Sequence, residues 1–488
     1  MRAGILAPVF SLPGSYGIGD FGKNTYRFVD MIAHKGVRIW QVLPLNPLGF
    51  GNSPYQADSS FAGEPLFIDP ETLYKEGLLE TCPPAFEGKK GRVDYEAVRA
   101  FKDPIFREAF AAFKPDADYE AFLKKEPWVE EYALFKALLR KNGGKSWYEW
   151  PKEDKALAGK SQETALFKEE RAYETFLQYE FRKQWGALKA YANERGIRIL
   201  GDLPFYAGGN SLDTFLNRDE FLLDKNGKPE LVAGVPPDYF SATGQRWGNP
   251  IYNWDVMEEN GFRYWNERLM GLSELYDMVR IDHFRAFDSY WVIPESEPTA
   301  VVGEWRYAPG YAFFDQLLPK IPHMEIVAED LGYMRDEVYV LRDHYDLPGM
   351  KVLEFVWNDP SNEPRPNMIC YTGTHDNDTA LGWYRSLSRN GRKGVKKALG
   401  FSNARGGFAR AFVRAALADP AETVVIPVQD IIGLGNEARI NLPGSVSEKN
   451  WTWRMADFNK FSAELDKFST MLKKSGRYFA AGKEEEKE

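Results

Sequence analysis

The chain has 488 residues, 44% of them hydrophobic, so it can bury a large core and suits one large barrel with insertions or two to three domains. Its formal charge of −9 argues against nucleic-acid binding, and no stretch has the length and apolarity of a membrane span. Two cysteines far apart, Cys82 and Cys370, offer neither a disulfide framework nor a zinc-ligand pair. The opening MRAGILAPVF lacks the apolar core and small-residue cleavage site of a signal peptide, so a reducing cytoplasm is the expected compartment. The last residues, 482–488, read as a charged, frayed end.

The first predicted element is a buried strand over 37–45, stopped by Pro44. A short second strand is expected at 66–69. From about 71 to 180 charged and apolar residues mix at helical spacing, which predicts a mostly helical insertion. It runs into a barrel helix marked by Tyr173, Phe176, Leu177, Phe181, Trp185 and Leu188. Residues 197–203 read as the next strand. A second insertion, about 205–275, is rich in Gly, Pro, Asn, Asp and aromatics and reads as irregular; its segment 236–250 is the candidate binding loop. Strands then follow at 278–283, 325–331, 350–357, 368–375 and 423–428, with helical stretches between them. Eight strands alternating with helices predict an α/β fold, a (β/α)8 TIM barrel occupying 1–488 as a single catalytic domain with large insertions. No C-terminal β-sandwich is visible.

Three carboxylates close three of these strands: Asp282 after Val279-Arg280-Ile281, Glu329 after Ile326-Val327-Ala328, and Asp376 in Thr374-His375-Asp376-Asn377. A barrel brings such positions to one mouth, and paired acids there suit glycoside chemistry, with one carboxylate as nucleophile and another as acid/base. Arg280 lies two residues before Asp282 and so on the same strand face, where it favours the ionised carboxylate. Glu329 follows an apolar run, which favours a raised pKa and a general acid. Each acid has a plainer alternative: an Arg–Asp pair closing a strand, a salt-bridged Glu, a helix cap beside Asp378 and Thr379. His375 and His283 adjoin two of the acids, and the stronger functional case is for His375. Aromatics are plentiful (14 Trp, 25 Tyr, 33 Phe); most fill core, and the remainder suit the flat faces of sugars.

Gly201-Asp202-Leu203-Pro204, Val279 to Phe284, Ala328 to Gly332 and Thr374 to Asn377 resemble the four ordered signature segments of the α-amylase clan. Tyr16 to Asp20, Asn52 to Gln56, Pro236 to Pro250 and Gly435 to Gly444 resemble segments of its 4-α-glucanotransferases, glycoside hydrolase family 77, over about residues 1–460. The resemblance implies transfer of α-1,4-glucan segments between maltooligosaccharides or starch chains by a retaining double displacement. It implies Asp282 as nucleophile, Glu329 as acid/base and Asp376 as transition-state stabiliser. It also implies Arg280, His375 and Asp202 around the cleaved bond, Tyr55, Tyr239, Phe240, Gln245 and Trp247 along the subsites, and Asn441 as a further contact. The competing expectation is an α-amylase-type hydrolase using the same acids.

Gly17-Ile18-Gly19-Asp20-Phe21-Gly22 fits a dinucleotide fingerprint, but no apolar strand is expected to precede it, so a dinucleotide site is not expected. Asp224 to Lys228 reads as a turn rather than a calcium loop. No metal or organic cofactor is expected.

Overall fold

The computed structural model describes residues 1–237, 241–357, 365–401 and 407–480. Twelve strands occur in chain order: β1 Arg2–Leu6, β2 Ile39–Gln41, β3 Arg198–Leu203, β4 Leu231–Val235, β5 Gln245–Pro250, β6 Met278–Ile281, β7 Ser289–Pro294, β8 Glu304–Tyr307, β9 Glu325–Ala328, β10 Gly349–Val352, β11 Met368–Tyr371 and β12 Thr423–Pro427. Eight of them form one parallel sheet in the order β10-β11-β12-β1-β2-β3-β6-β9. The Ala328 N–H donates to the Pro348 carbonyl at 2.8 Å and joins β9 to the approach of β10. The sheet thereby curls into the expected barrel.

Alternation along these strands sorts the side chains into two cores. Leu6, Ile39, Leu200, Met278, Val327, Met350, Ile369 and Val425 fill the barrel interior. Ile5, Trp40, Ile199, Val279, Ile326, Cys370 and Val424 point outward to the helices. At the N-terminal mouth Glu325 accepts hydrogen bonds from Arg2 (2.7 and 2.8 Å) and Arg198 (2.7 Å). That ion-paired cluster closes one end and leaves the C-terminal mouth for chemistry.

Two expectations need correction. Residues 66–69 are not a strand: Pro65–Phe67 is a single 3-10 turn, capped where Glu64 accepts from the Leu66 N–H, and Asp69 caps the next helix, Pro70–Lys75. Proline at the first position of both turns and two capping acids outweigh the apolar run. The eighth barrel strand is instead β1, whose Gly4 lies so close to Ile39 that an added Cβ would sit 2.9 Å from it. The second insertion is also more regular than its composition suggests. β5, β4, β7 and β8 form a four-stranded antiparallel sheet, with Ala233 opposite Val292 and Trp291 opposite Trp305. Gly234, Gly248 and Pro250 hide the period of two, and the pairing partner β7 arrives only after β6. Helices run from Tyr95–Ala112 to the 27-residue helix Lys168–Glu194 in the first excursion from the barrel. Asp224 accepts from the N–H groups of Asn226 (2.8 Å) and Lys228 (2.9 Å), the expected tight turn. Among the described residues no helix is long and apolar enough to cross a membrane.

The helical insertion is fastened to the barrel by a buried cation. Lys102, fully buried on Tyr95–Ala112, donates to Asp20 (3.1 Å) and to the carbonyls of Leu66 and Ile68 (both 2.8 Å). Burial pushes the Asp20 carboxyl up to about 7 against the pull of Lys102. Removing one member of such a pair strands the other charge. Lys102→Met is therefore expected to cost about 3 kcal/mol, read as a lowered urea midpoint. An unchanged midpoint would mean that Lys102 does not fasten the insertion.

Candidate active site

The register of the barrel strands assembles the site. Asp202 on β3 stands opposite Arg280 on β6, and Ile281 stands opposite Ala328 on β9. One step further the ladder persists: the Asp282 N–H donates to the Leu203 carbonyl and the Glu329 N–H to the Ile281 carbonyl, both at 3.0 Å. Asp282 and Glu329 therefore sit level on neighbouring strands, which lie about 4.8 Å apart. Both belong to the inward-facing series, Met278-Arg280-Asp282 and Val327-Glu329.

Arg280 is the centre of this layer. It is buried, and its guanidinium contacts Asp202 Oδ2 (2.8 and 2.9 Å) and Asp282 Oδ1 (2.9 Å). Tyr55 donates from its hydroxyl to the same Asp202 oxygen at 2.9 Å and lies 3.3 Å from Arg280 Nη2. Burial opposes the charge on Arg280, but the Asp202 and Asp282 carboxylates outweigh it and hold the guanidinium well above its usual range. The contact with Arg280 fixes the orientation of the Asp282 carboxyl in the cleft.

Glu329 experiences the opposite balance. Its oxygens accept from the N–H groups of His283 (2.8 Å) and Leu331 (3.0 Å). Burial, and then repulsion from Asp282, outweigh those bonds and push the carboxyl up to about 8. Glu329 thus keeps its proton at neutral pH and loses it as the pH rises through about 8. His283 adopts a left-handed backbone (φ 53°), which turns its N–H onto Glu329. Such a conformation is disfavoured for a residue with a Cβ and concentrates at functional sites. Burial lowers the His283 ring to about 4, so it is neutral, and its Nε2 has no hydrogen-bond partner among the described residues.

The third acid arrives from the loop after β11. Asn441 Nδ2 donates to Asp376 Oδ1 at 2.7 Å, and His375 Nε2 lies 3.3 Å from Asp376 Oδ2. Arg439 holds the loop from behind through the Asp376 carbonyl (2.5 Å) and the Asp378 carboxylate. His375 stacks on Tyr55, with centroids 5.3 Å apart and planes 12° apart, and Trp451 backs both rings at 5.6 and 5.9 Å. Burial lowers the His375 pKa, favouring a neutral ring.

These residues line an open cavity of about 470 Å³. Tyr55, Gln245, Trp247, Arg280, His375 and Asn441 all border it alongside the three acids. Asp202 lies just beneath, under Arg280. Trp247 stands edge-on to His283 (4.9 Å, 90°) and donates to Gln245 Oε1 at 3.2 Å. Tyr239 and Phe240 lie outside the described residues. The cavity also recruits Gln56, Tyr206, Asn249, Phe355 and Trp451, which the sequence reading did not single out. Gln56 lies in the Asn52 to Gln56 motif, and Tyr206 and Asn249 lie in the second insertion; Trp451 carries no local signal. Among the described residues no cluster of three or more His, Cys, Asp or Glu has the arrangement of a metal site. A carboxylate contacted by Arg280, level with a buried carboxyl whose pKa is raised, on neighbouring strands of an open cleft, is equipped to break an acetal C–O bond by double displacement.

Comparisons with known proteins agree on one family. The family described as 4-alpha-glucanotransferase matches residues 7–460. The chain is 44% identical to a 4-alpha-glucanotransferase of Thermus thermophilus, over 93% of this chain and 94% of that one. It is 43% identical to that of Aquifex aeolicus, over 93% and 95%. The structure superposes on amylomaltase from Streptococcus agalactiae in complex with acarbose, with a TM-score of 0.90, 34% identity, and coverage of 98% and 99%. Amylomaltase from Corynebacterium glutamicum, 17% identical with a TM-score of 0.78 over 98% and 75%, shares the fold.

Because Asp282 is the main charge acting against ionisation of Glu329, Asp282→Asn is expected to lower the Glu329 pKa from about 8. Carboxyl 13C NMR of the variant checks this. An unmoved titration would mean that burial alone sets the acid.

Proposed function

The chain belongs to the 4-alpha-glucanotransferase family, and on that premise we propose that it transfers α-1,4-glucan segments through a covalent glucosyl–enzyme on Asp282. The donor is a maltooligosaccharide or starch chain, and the acceptor is the 4-hydroxyl of another glucan or of glucose. The observation that carries this reading is the level pair of carboxyls following β6 and β9, Asp282 in contact with Arg280 and Glu329 buried with its pKa raised.

Glu329 donates its proton to the glycosidic oxygen while Asp282 attacks the anomeric carbon from the opposite face. The C–O bond to the leaving chain breaks, and an ester bond to Asp282 forms. Glu329, now ionised, takes the proton of the incoming 4-hydroxyl, whose oxygen displaces Asp282. Two inversions retain the α configuration, which requires carboxyl groups about 5–5.5 Å apart. The strand spacing supports that separation. Asp376, oriented by Asn441, binds hydroxyls of the reacting ring more tightly as positive charge develops. Arg280, Tyr55 and His375 hold the same ring, and Asp202 supports them from beneath through Arg280 and Tyr55.

Transfer over hydrolysis requires that an acceptor sugar be positioned and water be kept out. Positioning is worth effective molarities of about 10⁵ M or more, against tens of molar for water. Trp247, packed against His283 and bonded to Gln245, is the residue we assign to that screen. Tyr239 and Phe240 belong to the same proposal on sequence grounds.

Maltotriose is expected to yield a ladder of longer maltooligosaccharides plus glucose by chromatography, whereas short sugars alone would indicate hydrolysis. Trp247→Ala is expected to raise the ratio of hydrolysis to transfer, and an unchanged ratio would remove Trp247 from the screen. The kcat/KM profile is expected to fall on its alkaline side near pH 8, where Glu329 loses its proton. A profile flat through that range would remove Glu329 from the acid role.

A further inference from the structure

Outside the cleft, an aromatic ridge continues the loop that carries Glu329. Leu331 and Gly332 line the cavity, and Gly332 takes a left-handed turn (φ 89°) that swings the chain outward. The next residue, Tyr333, is 81% exposed, and Tyr307 on the edge strand β8 is 68% exposed. A single exposed ring needs no explanation, but exposed aromatics beside a binding cleft form a surface that a ligand can use.

Two arginines tie this ridge to the rest of the fold. The Arg285 guanidinium donates to the Tyr333 carbonyl and lies 3.9 Å from the Trp305 ring centroid and 5.6 Å from that of Tyr333. Arg285 is buried and belongs to the turn immediately after Asp282, so the ridge is fixed to the same backbone as the site. Arg335 lies over Tyr307 at 5.3 Å and is paired with Asp288 (3.4 Å) and Glu337 (2.9 Å). Both cations are already engaged, which leaves aromatic faces rather than free charge for a ligand. That surface suits a neutral, flat-faced partner better than an acidic one.

We propose that Tyr333, beside Trp305 and Tyr307, is a stacking platform that carries the acceptor-side glucan beyond the catalytic cleft. The proposal rests on the transferase reading and extends it to chain length. Glu329 protonates the oxygen of the leaving chain, and residues 331–333 follow it directly. A glucan leaving past Leu331 and Gly332 therefore meets Tyr333 next. Short acceptors end before the ridge; longer ones reach it.

The test compares glucose and maltohexaose as labelled acceptors at fixed donor concentration. Tyr333→Ala is expected to lower the preference for maltohexaose over glucose, as a ratio of kcat/KM values, by about fivefold through loss of one ring contact. Tyr333→Phe is expected to keep the wild-type ratio. An unchanged ratio in Tyr333→Ala, or equal losses with both acceptors, overturns the proposal. If the unaltered enzyme forms no transfer products, the functional reading fails, and electrophoresis in amylose-containing gels then decides this inference alone. There, Asp282→Asn should be retarded more than Asp282→Asn with Tyr333→Ala; equal retardation overturns the platform.

Discussion

Everything in the cleft depends on one buried guanidinium among three acids. Asp202, Asp282 and Glu329 converge at the barrel mouth, and Arg280 is the cation they share. Burying a carboxylate without a partner is costly enough that the group takes a proton instead. Arg280 contacts two of the three and compensates them directly. Glu329 has no such contact: burial first, and repulsion from Asp282 second, hold its proton. The different roles of two chemically similar acids thus follow from burial and the positions of the charges. The planar fork of arginine matters, because it spans Asp202 across the ladder and Asp282 along the strand at once.

The fold makes this possible through alternation and closure. Every second residue of β3, β6 and β9 points into the barrel, so the interior rises from apolar residues to Asp202 and Arg280 and then to Asp282 and Glu329. The opposite mouth is sealed by Glu325 with Arg2 and Arg198, leaving one route in. Long excursions from the barrel supply the remaining wall. The stretch between β2 and β3 brings Tyr55, the antiparallel sheet brings Gln245 and Trp247, and the segment after β12 brings Asn441 and Trp451. The barrel thus fixes the acids of the cleft, while the excursions shape the wall beside them.

The meeting of Asp282 and Glu329 was legible in the sequence because strand alternation and short apolar runs place both without knowledge of the whole fold. The bounds of the strands were less legible. β1 was hidden by Ala3 and Gly4, small residues chosen by close packing against β2 rather than by β propensity. Residues 66–69 looked like a strand because the capping roles of Glu64 and Asp69 are not visible in an apolar count. The antiparallel sheet escaped because its partner strands are separated by β6. Trp451 reaches the site only because the last barrel segment folds back over the mouth, where its N–H donates to the Ile440 carbonyl at 2.7 Å. Contacts of that range leave no periodic trace in the chain. The placement of Asp376 depended on resemblance as well, since its polar loop reads equally as a helix cap.

The most direct test of the account is to trap the glycosyl–enzyme. An activated, fluorine-substituted glucosyl donor slows the second displacement, and intact-protein mass spectrometry followed by peptide mapping then locates the label. A single added glucosyl mass on the peptide bearing Asp282 is the predicted result. A label on any other carboxylate, or turnover with inversion and no adduct, would contradict it.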